Sequence, residues 1–167
     1  CGKVLKNMDL MNNEAQPDSN IIYWLWLSLA CGAGSSVPEL LFKKFGPNPQ
    51  RIYDAVPEEL DELTREKGMR PNIYSALVNK SLEIPFKILN WCSENGVGLL
   101  PYDSIYFPES LRIIRRSPLL LYYLGNVPDI NKRLSIAMVG TRKVSDYGAR
   151  NAYTIATDLA SAGAVIV

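Results

Sequence analysis

The apolar positions along the chain change period once, near residue 96. Residues 21–29 are an almost unbroken apolar run, which predicts a buried helix, and Cys31-Gly-Ala-Gly-Ser-Ser36 predicts its end. Pro38 suits the first turn of a second helix, running to about Phe45 and closed by Gly46 and Pro47. A short helix follows around residues 51–55. Pro57-Glu-Glu-Leu opens another that reaches about Lys67, with Glu58, Glu59, Asp61 and Glu62 in its first turns, where carboxylates suit the positive end of the helix dipole. Residues 72–80 and 83–94 predict two more helices. The last is amphipathic, with Phe86, Leu89, Trp91 and Cys92 on the inward face. Residues 20–95 are thus expected to form an all-helical unit with Trp24, Trp26 and Trp91 in its core.

Beyond Gly96 the pattern shortens. A strand is predicted over 97–102, a short helix over 107–114, and a second strand over 119–124 closed by Gly125-Asn126. In the short helix, Leu111, Ile113 and Ile114 are expected inward, leaving Arg112, Arg115 and Arg116 on a solvated face. A third strand over 135–139 leads through the loop 140–145 to a helix over 146–162. Gly163 closes that helix, and a last strand begins at Ala164. Strand, loop, helix and strand with doubly buried apolar character open a parallel α/β sheet. The expected fold class is α plus α/β: a helical domain resembling sterile-alpha-motif or helix-hairpin-helix units over 20–95, then, over 96–167, linker strands and the start of a Rossmann-like doubly wound parallel sheet. A sheet of so few strands leaves Val165, Ile166 and Val167 short of neighbours, so the sequence reads as a fragment. Residues 1–19 read as a disordered tail, with Met8 and Met11 as candidate starts.

Composition narrows the chemistry. The 167 residues carry 18 Lys and Arg against 17 Asp and Glu, which excludes a polycationic tail-like protein. The cations are uneven, and the stretch after residue 100 is the basic part, so that part is expected to meet phosphate. Histidine is absent, which removes every mechanism built on an imidazole. The three cysteines, Cys1, Cys31 and Cys92, have no C-x-x-C spacing and read as reduced, mostly buried thiols of a cytoplasmic protein. The apolar run at 21–31 is well short of the roughly 20 residues that a membrane helix needs. Its polar lead, with Asp9, Glu14 and Asp18, is too long for a signal peptide.

Three features could carry chemistry. In the loop after the third strand, Gly140 leaves room for a ligand against the backbone. Thr141 offers a hydroxyl, Arg142 and Lys143 offer positive charge, and Ser145 or Asp146 can cap a helix whose free N–H groups suit an anion. Neither a dinucleotide fingerprint nor a P-loop fits: Arg142 stands where the second glycine should be, and no Gly-Lys pair follows at P-loop spacing. An arginine there suits a phosphodiester. The second feature is the G-x-G turn Gly32-Ala-Gly34 between two helices. Its nearest cations along the chain are Lys43 and Lys44, so packing or a protein-interaction role is as plausible as DNA contact. The third is the arginine cluster Arg112, Arg115 and Arg116.

These motifs, in order, resemble the DNA-processing protein family DprA/Smf. Leu99-Leu-Pro-Tyr-Asp-Ser-Ile-Tyr-Phe-Pro-Glu-Ser-Leu111 is similar to the family's Tyr-Pro-x-x-Leu segment, with Phe107-Pro108 where Tyr-Pro is usual. Ser117-Pro-Leu-Leu-Leu-Tyr-Tyr-Leu-Gly-Asn126 resembles its Gly-Asn strand. Ile136-Ala-Met-Val-Gly-Thr-Arg142 with Tyr147-Gly148 resembles its Gly-Ser/Thr-Arg signature. The helical leader, with Phe45-Gly46, matches the family's amino-terminal domain. The resemblance covers residue 20 to the last residue. It implies a non-enzymatic protein, needing no cofactor or metal, that protects single-stranded DNA during natural transformation and helps load a RecA-type recombinase. It also implies a homodimer in the full-length protein, through a surface downstream of Val167. The DNA-binding residues it implies, together with the loop chemistry, are Gly140, Thr141, Arg142, Lys143 and Ser145. The alternatives are a Rossmann-type nucleotide phosphoribohydrolase of the lysine-decarboxylase-like kind, and a protein-interaction module in residues 20–95.

Overall fold

The computed structural model describes residues 20–67, 69–127 and 130–167; the expected disordered tail at 1–19 lies outside them. Six helices come first: α1 (Ile21–Cys31), α2 (Val37–Phe45), α3 (Pro49–Asp54), α4 (Pro57–Lys67), α5 (Pro71–Asn79) and α6 (Glu83–Glu94). A strand β1 (Val97–Pro101), a single turn of helix α7 (Glu109–Arg112) and a strand β2 (Leu120–Leu124) follow. The chain then runs through a 3-10 turn, Ile130–Lys132, into β3 (Ser135–Ile136), α8 (Asp146–Ser161) and β4 (Val165–Ile166).

Helix α1 is apolar because its middle is enclosed by other elements. Trp24, Leu25, Trp26 and Leu27 are four consecutive buried residues, and the helix packs against α3, α5, α6, β1 and β2. The most apolar run of the chain is therefore the centre of a protein core, and no helix among the described residues is long and apolar enough to cross a membrane. Leu41, Phe45, Ile52, Leu60 and Leu77 close around it from the other helices. Two cations lock the periphery through backbone carbonyls. The Lys44 Nζ donates to Glu59 O at 2.7 Å and pairs with Glu62, joining α2 to α4. The Lys80 Nζ donates to Ala55 O at 2.8 Å, and the Tyr53 hydroxyl donates back to Lys80 O at 2.9 Å.

This core continues past the change of period. Strands β1 and β2 form an antiparallel pair, and Leu119 and Leu120 belong to the same buried cluster as the helices, with Leu99 and Tyr102 packed on it. The rings of Trp24, Phe42, Tyr102 and Phe107 run in a chain, with centroids 5.4 to 6.1 Å apart where they touch. Arg112 covers its end: its guanidinium lies 5.8 Å from the Tyr102 centroid and 5.6 Å from that of Phe107, and Nε donates to Tyr102 O at 2.9 Å. A second Arg112 nitrogen donates to Ser104 O. Arg112 is thus a packing residue rather than part of a solvated face. Its neighbours correct the expectation in the other direction. Ile113 is 86% exposed and Ile114 is exposed too, because α7 is only four residues long and has no continuous inward face.

In α6 the buried stripe is Pro85, Leu89 and Cys92, spaced four and three residues apart. Phe86 and Trp91 fall to either side of it and are 51% and 56% exposed, so neither lies inward as expected, and Trp91 is not a core tryptophan. Both described cysteines, Cys31 and Cys92, are buried and unpaired. Burial pushes the Cys31 thiol up from an ordinary 9.0 to about 12. The folded thiol then keeps its proton where the unfolded one loses it, so unfolding releases a proton between pH 9 and 12 and stability falls as pH rises through that window. Urea melts at about pH 8 and about pH 10.5, on either side of the unfolded thiol's titration, should show a larger loss for the native chain than for Cys31→Ala. Equal losses would contradict the assignment.

Gly98 is opposite Tyr123 in the β1–β2 register, and the phenol ring lies flat across it. A Cβ at Gly98 would come within 2.1 Å of the Tyr123 ring. Gly98→Ala should destabilise by about 1–3 kcal/mol through overpacking, and adding Tyr123→Ala should recover much of that loss. Thermal melts of the two single variants and the double variant test the coupling; additive losses would show that the ring does not need the glycine.

The second sheet is separate. β3 and β4 pair in parallel across α8, with Ser135 opposite Val165 and Ile136 opposite Ile166. Hydrogen bonds carry the ladder one step further, from Met138 N to Val167 O at 2.9 Å. Val165 and Ile166 are half-buried and Val167 is exposed, in line with the expectation that so small a sheet leaves them short of neighbours. The observed class is helical plus a small mixed set of strands, with one β–α–β unit at the end.

Candidate nucleic-acid interface

The β–α–β unit places the predicted loop at one end of a parallel pair, between β3 and the N-terminus of α8. Ser145 is the N-cap: its backbone is extended, and its Oγ accepts the Gly148 N–H at 3.2 Å. That leaves the Ser145 hydroxyl hydrogen free to be donated outward. Gly148 fits tightly beneath the cap, where a Cβ would sit 3.1 Å from Val144 Cγ2. Asp146 occupies the first turn, where the helix dipole favours a carboxylate.

The Thr141 hydroxyl donates to Lys143 O at 2.6 Å. Its proton is therefore spent on shaping the loop, and it holds the loop rather than offering the donor expected of it. Gly140 has open space where a Cβ would stand, so nothing within the chain requires it to be small, and a ligand can approach its backbone. Arg142 and Lys143 are exposed and make no ion pair among the described residues. All five predicted residues thus lie together on one solvent-facing loop.

Two neighbours escape a reading of the loop alone. Tyr147 is 73% exposed on the first turn of α8, and Arg150 lies three residues on, at the spacing that shares a helix face. Helical periodicity counted from the cap points to both. The end of α8 therefore presents three cations, Arg142, Lys143 and Arg150, against one carboxylate, Asp146, with an aromatic ring beside them. Cations that are unpaired among the described residues, beside a helix N-terminus, have the charge that suits an anion. A ring alongside adds a surface on which a base can stack.

The class defined by this geometry is a strand–loop–helix unit whose loop end carries exposed cations at a helix N-terminus, joined to a helical domain that shares its core with the preceding strands. Residues 98–167 match the model of the family DNA recombination-mediator protein A. The match begins within β1 and takes in the whole loop and α8. No curated protein matches the chain. The family's role is recombination mediation during DNA processing, and it is named for that role rather than for a catalytic activity.

Proposed function

We propose that this chain is a sequence-tolerant single-stranded DNA-binding element of a recombination mediator, acting without catalysis in the cytoplasm. The observation that carries the reading is the pair of exposed, unpaired cations Arg142 and Lys143 on the capped N-terminus of α8, inside the family-matched segment. Arg142 grips a phosphodiester, Lys143 and Arg150 add charge along the backbone path, and the Ser145 hydroxyl and the first α8 amides complete the contact. Tyr147 gives a base a ring to stack on, which every base can use, so affinity carries little sequence preference. The chain protects the strand and presents it to a RecA-type recombinase, as a homodimer in the full-length protein; the family match supports this role over nucleotide hydrolysis.

Fluorescence anisotropy of labelled oligo-dT with unlabelled competitors tests the reading. Oligo-dT and a mixed-sequence single strand should compete about equally, while duplex of the same length competes poorly. Preference for duplex, or competition by free mononucleotide, would overturn it.

A further inference from the structure

The sequence leaves the Gly32-Ala-Gly34 turn without a nearby cation, but folding supplies two. A cleft of about 470 Å³ lies against this turn, and besides residues 29–37 it is lined by Arg70, Asn72, Ile73 and Arg116. We propose that this cleft is a second phosphate site, which takes a phosphodiester of the same DNA strand; the inference rests on the single-strand reading above.

Three separate segments converge on the cleft. Gly32 and Gly34 have φ of 74° and 68°, with open space where each Cβ would stand, so a ligand can approach the turn, while the Gly32 N–H itself is donated to Ser28 O at 3.0 Å. Arg70 comes from the start of α5, and Arg116 from the segment between α7 and β2. Both arginines are exposed, and neither makes an ion pair among the described residues. Two like charges brought to one cleft without a carboxylate between them repel each other, and an anion relieves that repulsion. Glu39 does not fill the role. Its carboxylate accepts the Arg116 backbone N–H at 2.8 Å, and it lines the adjoining cleft instead.

The backbone around the cleft has the matching sign. Helices α2 and α5 both begin on it; the first α2 amide, Val37 N–H, is donated to Ser35 Oγ at 3.2 Å, whereas the Arg70 side chain does not cap α5. Pro71 has no N–H, and the Asn72 amide has no acceptor within α5. Two arginine forks and the open start of α5 select a tetrahedral oxyanion, and a DNA strand carries one at each nucleotide. Lys44, one of the two cations nearest the turn in sequence, is already committed to Glu59 O and Glu62.

Amide NMR spectra of the whole chain, titrated separately with inorganic phosphate and with oligo-dT, test the proposal in the native protein, in Arg142→Ala and in the double variant Arg70→Gln/Arg116→Gln. Both ligands should shift the Gly32, Gly34 and Asn72 amides of the native chain, and the double variant should lose those shifts while its other resonances stay in place. Arg142→Ala should keep the cleft's response to phosphate. The double variant should also bind oligo-dT several-fold more weakly, with a salt slope lower by roughly 0.7 for each phosphate that the cleft no longer neutralises. If oligo-dT moves the amides of 140–148 but leaves the cleft unmoved, the second site is overturned and the single-strand reading stands. If phosphate moves the cleft and oligo-dT does not, a free anion is the occupant and the strand proposal fails. If oligo-dT moves neither region, both the proposal and the reading beneath it fail, while the phosphate arm still reports on the cleft.

Discussion

Alanine in place of Arg142 should weaken oligo-dT binding by about tenfold to a hundredfold, since a hydrogen bond to a charged group contributes roughly 1.5–3 kcal/mol. The salt slope should fall by roughly 0.7, the share of one phosphate on a single strand. Arg142→Lys should fall between the two, because it keeps the charge but loses the planar fork that holds two oxygens at once. Arg142 is exposed and makes no hydrogen bond among the described residues, so the melting temperature should stay where it is. Anisotropy across a salt series, with a thermal melt beside it, reads both quantities. Unchanged affinity and slope in the alanine variant would remove Arg142 from the interface.

The largest stability loss is expected at Phe107. Its side chain is fully buried between Tyr102 and the Arg112 guanidinium, at the far end of the ring chain that starts at Trp24. Phe107→Ala removes a whole ring from this site and should cost about 3–5 kcal/mol. At about 2–4 °C per kcal/mol for a chain of this size, the melting temperature should drop by roughly 6–20 °C. The loss should be felt as far as α1, because Trp24 and Tyr102 touch, so tryptophan fluorescence and far-ultraviolet circular dichroism should melt together. A shift of only a degree or two, or two separate transitions, would mean that the helices and the β1–β2 segment do not share one core. The local fold around Phe107 has a second support. Asn131 donates to Ile105 O at 3.2 Å and to Phe107 O at 3.0 Å, and its Oδ1 accepts the Glu109 N–H at 2.9 Å.

The helices are legible in the sequence because their punctuation is local. Pro38, Pro49, Pro57 and Pro71 stand in first turns, and Gly46 and Gly96 end runs, so the six spans differ from the pattern by only a few residues. The inward face of α6 misleads for an equally local reason. Its large rings suggest burial, whereas Pro85, Leu89 and Cys92 are the set that repeats every three or four residues. The loop at 140–145 and its cap are legible because strand, turn and cap follow one another in sequence. What the pattern does not carry is everything assembled from distant segments. Arg112 reads as a solvated cation until the fold lays two rings under it. Arg70 and Arg116 lie far along the chain from Gly32 and Gly34, and no periodicity brings them to one cleft. Thr141 shows the same limit at short range: its residue type offers a donor, and the loop geometry uses that donor internally.

A single DNA strand lying across the start of α8 is the central claim. Ultraviolet crosslinking of the whole chain to oligo-dT, followed by tryptic digestion and mass spectrometry, tests it most directly. The exposed Tyr147 ring lies in the tryptic peptide 144–150, which follows Lys143 and ends at Arg150. The nucleotide adduct should be found on that peptide and should disappear with Tyr147→Ala. Adducts confined to residues 20–95, with none on 144–150 while the strand is bound, would contradict the claim.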